Sequence, residues 1–93
     1  MKKPLAIKGE VFSRLAALPR DERAECMLAL CDLTQMFGRP HQHSGLGIRK
    51  LTKNVFECRG NLQLRFLFFD RRADLYVWFL GDHDEVRSVL REI

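Results

Sequence analysis

Apolar residues recur at helical spacing through the first third of the chain and at strand spacing through most of the remainder. Over residues 8–18, Val11, Leu15 and Leu18 fall three and four apart, which predicts a first helix. Pro19 ends it, because the residue before a proline is pushed out of helical geometry. A longer helix opens at Arg20 and Asp21, with Ala24, Met27, Leu30, Cys31, Thr34 and Phe37 as its expected inner stripe. Asp21 and Glu22 suit the positive end of the helix dipole, and Gly38 with Pro40 stops the far end. The two helices read as a hairpin covering a sheet. After a loop at 41–47, the runs 55–59, 62–69 and 75–80 predict strands, with 48–52 as a short fourth. Val86, Val89, Leu90 and Ile93 return to helical spacing. The fold class expected is α+β: an N-terminal helical hairpin packed on a small antiparallel sheet of three to four strands, with a short C-terminal helix.

Side-chain alternation selects a register for the hairpin around Gly60. A two-residue turn at Gly60-Asn61 would set Cys58 against Gln63 and Glu57 against Leu64, mixing polar and apolar side chains on one face. A three-residue loop, Gly60-Asn61-Leu62, sets Arg59 against Gln63, Glu57 against Arg65, Cys58 against Leu64 and Phe56 against Phe66. One face is then apolar and the other polar, so the second register is expected. It gathers Glu57, Arg59, Gln63 and Arg65 on the side away from the helices.

The chain has 93 residues, enough for one domain spanning 1–93. Hydrophobic content of 46% and charged content of 30% exclude a disordered chain. No apolar run is long enough to cross a bilayer, and the N-terminus lacks an apolar stretch of signal-peptide length. The cytoplasm is therefore the expected location. The three cysteines, Cys26, Cys31 and Cys58, are odd in number and form no CxxC pair, so they read as buried thiols packing as small hydrophobes. The net charge of +4 points to an anionic partner such as nucleic acid, although many small soluble proteins are mildly basic.

Glu57, Arg59 and Arg65 are the main candidates for chemistry. An opposed Glu57 and Arg65 would make an ordinary cross-strand ion pair, worth about 0.2–1 kcal/mol. The same cluster also suits binding and cleavage of an RNA phosphodiester. That reaction needs a base for the 2′-hydroxyl, an acid for the leaving 5′-oxygen, and cations for the crowded phosphorane. Arginine fits the last task through its planar, bidentate fork. His83, at the mouth of the last helix, is an acid or base near neutral pH, or merely a solvated first-turn residue behind an Asp82 cap. Arg49, Lys50 and Lys53 would supply phosphate contacts, or form a solvated basic turn. Tyr76 and Trp78 share a strand face and would stack on a base or pack against the body of the protein. His41 and His43 are two apart in a loop, but no third metal ligand is evident.

The strings Leu46-Gly47-Ile48-Arg49-Lys50-Leu51, Asn54-Val55-Phe56-Glu57-Cys58-Arg59, Leu64-Arg65-Phe66-Leu67-Phe68-Phe69 and Val77-Trp78-Phe79-Leu80 together resemble the RelE/HigB/ParE toxin superfamily, and most of all its phage-related, HigB-like group. The resemblance covers residues 11–93. It implies a toxin of a type II toxin–antitoxin system that cleaves mRNA on the ribosome without a metal or other cofactor and is neutralised by a cognate antitoxin. It assigns Arg65 to the scissile phosphate and Glu57 to the base. His83 falls at the basic or histidine position after the last strand, and Lys50 and Lys53 lie near the RNA-binding cations. Three features depart from the family pattern. The stretch Gly81-Asp82-His83-Asp84-Glu85 is acidic where many members are lysine-rich, a terminal tyrosine is absent, and residues 3–7 leave little room for the usual first strand. The resemblance also allows a toxin of the gyrase-inhibiting branch, or a degenerate copy that acts only as a protein-binding module.

Overall fold

A computed structural model describes residues 3–39 and 45–93. The elements run β1 (Leu5–Ile7), α1 (Gly9–Ala17), α2 (Arg20–Met36), β2 (Arg49–Thr52), β3 (Val55–Arg59), β4 (Leu64–Asp70), β5 (Leu75–Asp82) and α3 (His83–Leu90). The sheet order is β1-β5-β4-β3-β2. The α+β class and both helical regions agree with the sequence reading, but the sheet differs. It has five strands rather than three or four, and it is mixed rather than antiparallel, because β1 runs parallel to β5. Residues 5–7 suffice for a strand because Leu5, Ala6 and Ile7 pair with Leu75, Tyr76 and Val77 already in place. No helix among the described residues is long and apolar enough to cross a membrane.

Leu18 and Pro19 separate the two N-terminal helices, and Pro19 stands at the start of α2. Val11 and Leu15 of α1 join Cys26, Ala29, Leu30 and Leu33 of α2 over one face of the sheet. There they meet Cys58, Leu64, Phe66, Phe68, Leu75, Val77 and Leu80. Phe66 and Phe68 are fully buried, and each stabilises the fold by about 1.5–3 kcal/mol through the area it removes from water. Phe37 closes the cluster edge-on against Phe56 and Phe68, with ring centroids at 5.3 and 5.6 Å.

The inner face of α2 lies about one position away from the expected stripe. Ala24 and Cys31 are exposed and Met27 is 46% exposed, while Cys26 is buried. Two overlapping stripes satisfy helical spacing in this segment, and the sheet chooses between them. Cys26 fits because Gly60 has no side chain: a Cβ there would lie 2.9 Å from the Cys26 sulfur.

The β3–β4 register also departs from the expected one. Arg59 faces Arg65, Glu57 faces Leu67, Cys58 faces Phe66 and Phe56 faces Phe68. The loop holds five residues instead of three, because Asn61 Oδ1 accepts hydrogen bonds from the backbone N–H groups of Gln63 and Leu64, both at 2.8 Å. Gly60 N–H donates to the Leu64 carbonyl at 2.9 Å and closes it. The shift is two residues, so every side chain keeps its predicted face while its partners change.

Candidate functional site

The face of the sheet away from the α1–α2 hairpin carries a polar cleft of about 360 Å³, lined by Gly47, Ile48, Arg49, Glu57, Arg59, Arg65 and His83. Of the seven residues expected from sequence to act in catalysis or RNA binding, five meet here. Arg49 comes from β2, Glu57 and Arg59 from β3, Arg65 from β4, and His83 from the first turn of α3. Lys50 and Lys53 do not line it. Lys50 is exposed on β2 in register with Phe56, one position out of phase with Arg49. Lys53 is exposed in the β2–β3 turn with a φ of 31°. His41 and His43 lie outside the described residues. Among the described residues, no three His, Cys, Asp or Glu side chains gather in a group able to hold a metal.

The expected Glu57–Arg65 pair does not form. Glu57 Oε1 instead accepts from Arg49 Nε at 2.7 Å, across the β2–β3 ladder where the two residues are register partners. Glu57 is 7% exposed, the one charged side chain buried in the body of the protein among the described residues. A buried carboxylate needs such a partner, since an unpaired one would forfeit its solvation. With Glu57 satisfied by Arg49, Arg59 and Arg65 are left facing each other, and neither has a carboxylate partner among the described residues. Like charges directly opposed on neighbouring strands destabilise a sheet. The cleft therefore sets three guanidinium groups and an imidazole against one carboxylate, an arrangement that favours an anion.

Backbone contacts frame these groups. Arg59 N–H donates to the Leu46 carbonyl at 2.7 Å, tying the loop before β2 to the end of β3. Gly47 has a φ of +59°, and a Cβ on it would meet Arg59 Nε at 3.2 Å, so this glycine both turns the chain and seats the guanidinium. Next to the cleft on the same face, Phe69 stacks on Tyr76 and Trp78, with centroids at 6.4 and 5.3 Å. A bulge at Trp78 brings Phe79 opposite Leu67. Tyr76 and Trp78 thus share a face as expected, but they pack chiefly on neighbouring rings.

The acidic stretch at the junction of β5 and α3 is largely occupied in holding α3. Asp82 caps α3, its side chain accepting from Glu85 N–H at 2.9 Å, while Glu85 Oε1 accepts from Asp82 N–H at 3.0 Å. Arg14 of α1 donates to both Glu85 oxygens, at 2.7 and 2.8 Å. This fork, with the cap hydrogen bond, lowers the Glu85 carboxyl to about 2. Two of the three carboxylates near His83 are therefore engaged away from the cleft. The cap was legible in the Asp82-to-Glu85 spacing. Arg14 was not, because it lies 71 residues from its partner. Arg87, which approaches the His83 ring, was also missed, although its i, i+4 spacing on α3 was visible.

By sequence, no family model and no curated protein matches the chain. By structure, it is similar to RelE in the archaeal RelE–RelB complex from Pyrococcus horikoshii OT3, with a TM-score of 0.68, 16% identity, and 88% of this chain and 96% of that chain covered. It is similar to the YoeB–YefM complex from Staphylococcus aureus, with a TM-score of 0.62, 13% identity, and coverage of 89% and 99%. A copper-bound mutant toxin from Helicobacter pylori aligns with a TM-score of 0.57 and 19% identity, over 92% of this chain and 99% of that one. The chain has the fold of the RelE and YoeB toxins.

Proposed function

We propose that this protein is the toxin of a toxin–antitoxin pair and cleaves mRNA on the ribosome in the cytoplasm. The observation that carries the proposal is the uncompensated pair Arg59 and Arg65, set beside a single buried carboxylate, Glu57. Two opposed guanidinium groups form a fork for a phosphodiester and for the extra charge of its phosphorane. Glu57 gives one oxygen to Arg49, and its other oxygen takes the 2′-hydroxyl proton. The 2′-oxygen then bonds to phosphorus, the bond to the 5′-oxygen breaks, and the departing oxygen takes a proton from solvent on the open side of the cleft. The acidic stretch around His83 does not oppose this reading, because Asp82 and Glu85 are engaged in capping α3 and binding Arg14.

A protein partner is part of the proposal, since two of the structurally similar toxins are seen in complexes, RelE with RelB and YoeB with YefM. An acidic segment suits a chain of charge +4. Placement in the HigB-like group is also proposed, on the strand motifs alone. Induced expression tests the reading: growth should stop, translated mRNA should carry new cuts, and Arg65→Ala should restore growth. Growth arrest with intact mRNA would defeat it, and induced DNA damage would then favour the gyrase-inhibiting alternative.

A further inference from the structure

His83 is held twice, once through its helix and once through its ring. Its place at the start of α3 is secured by the Asp82–Glu85 capping box and by the fork from Arg14. Its ring is met one turn later by Arg87, whose Nη2 lies 2.9 Å from His83 Nε2. A guanidinium carries only donors. In that contact Nε2 is the acceptor, and the neutral ring carries its proton on Nδ1.

We propose that Arg87 fixes His83 as the Nδ1–H tautomer, so that His83 serves the cleft as a hydrogen-bond donor to a phosphate oxygen and not as an acid or base. The inference rests on the RNA reading of the cleft and narrows the part His83 plays in it. Protonating Nε2 would turn an N–H against the N–H groups of Arg87. Arg49, Arg59 and Arg65 line the same cleft, and Glu57 is engaged with Arg49, so the ring meets no carboxylate from the sheet. Asp82 is turned to its cap, and Glu85 to the cap and Arg14. A neutral Nδ1–H is too weak an acid to release its proton to a leaving oxygen. It can still donate a hydrogen bond that strengthens as charge builds on phosphorus. Arg87 is then a positioning residue, acting through the ring it orients. Proton movement is left to Glu57 and water.

The tautomer is read directly by nitrogen-15 NMR of the imidazole rings in the full-length protein at a pH where they are neutral, with His83→Asn used to assign the signal. The wild type should show the proton on Nδ1, and Arg87→Ala should move it to Nε2. On RNA, His83→Asn places an amide N–H near the site of Nδ1 and should lose clearly less activity than variants that put no donor there. His83→Gln, which mimics Nε2, and His83→Ala should each lose about 100-fold. An Nε2–H tautomer in the wild type overturns the inference. So does a folded His83→Asn variant as impaired as His83→Ala. The NMR readout needs no RNA, so an Nδ1–H ring in a protein that cuts no RNA would defeat the functional reading and leave the tautomer standing.

Discussion

Arg59 and Arg65 face each other across the β3–β4 ladder, and no carboxylate among the described residues pairs with either. Such an opposition costs stability, about 0.2–1 kcal/mol for a pair of neighbouring side chains. Arg65→Gln should therefore leave the unfolding free energy unchanged or raise it by about 0.5 kcal/mol. The same variant should lose about 100-fold in RNA cleavage. It should also flatten the salt dependence of RNA binding by about 0.7 in log–log slope, the share of one phosphate contact on a single strand. Denaturant unfolding and a salt titration check the two halves. A variant clearly less stable than the wild type would mean that Arg65 has a structural partner.

Glu57→Gln keeps a side-chain oxygen for Arg49 and removes the proposed base. Binding of RNA should be retained or slightly tighter, since one negative charge leaves a cationic cleft. Cleavage should fall by about 100- to 10,000-fold, the range expected for losing a general base. Single-turnover kinetics with the protein in excess over RNA, at several protein concentrations, separate the two effects. Equal loss of binding and cleavage would assign Glu57 to structure alone.

Sequence reading located the faces of the sheet better than its pairings, for a physical reason. Alternation has a period of two, and the misread loop differs by two residues, so Glu57, Arg59 and Arg65 kept their face while Glu57 exchanged Arg65 for Arg49 as its neighbour. The length of that loop depends on the side chain of Asn61 and on the contact between Gly60 and Cys26, and neither leaves a periodic signal. The inner face of α2 was ambiguous because apolar residues occupy two overlapping stripes. β1 was hard to read because three residues become a strand only when β5 is beside them. Five residues of the candidate cleft were legible, Arg49, Glu57, Arg59 and Arg65 on strands and His83 at the start of α3. The hold on α3 through Arg14 came only with the fold.

The Arg14–Glu85 fork predicts an acid-sensitive contribution to stability. The Glu85 carboxyl is lowered from 4.5 to about 2, so its stabilisation is present above about pH 4.5 and is lost as pH falls toward 2. Both side chains are more than a third exposed, at 40% and 37%, and solvent screening limits the contribution to about 1 kcal/mol. Glu85→Gln should be about 1 kcal/mol less stable than the wild type at pH 7, and the gap should close by pH 2. Urea unfolding across that range checks it.

Thiol chemistry should distinguish the three cysteines. Burial pushes Cys26 up to about 11 and Cys58 up to about 12, whereas Cys31 is exposed on α2. One thiol should react quickly with an aromatic disulfide reagent in the native protein, with the other two appearing on unfolding. Cys31→Ser should remove the fast phase. Exposure of Cys31 corrects the expectation that all three thiols are buried.

The claim that this cleft cuts RNA is tested most directly by mixing purified protein with ribosomes programmed by a defined mRNA and mapping the 5′ ends that appear. The account predicts cuts within the ribosome-bound codon, together with a 2′,3′-cyclic or 3′-phosphate on the upstream fragment. Arg65→Gln and Glu57→Gln should each suppress them. Intact mRNA with the wild type, or cuts that persist undiminished in both variants, would contradict it.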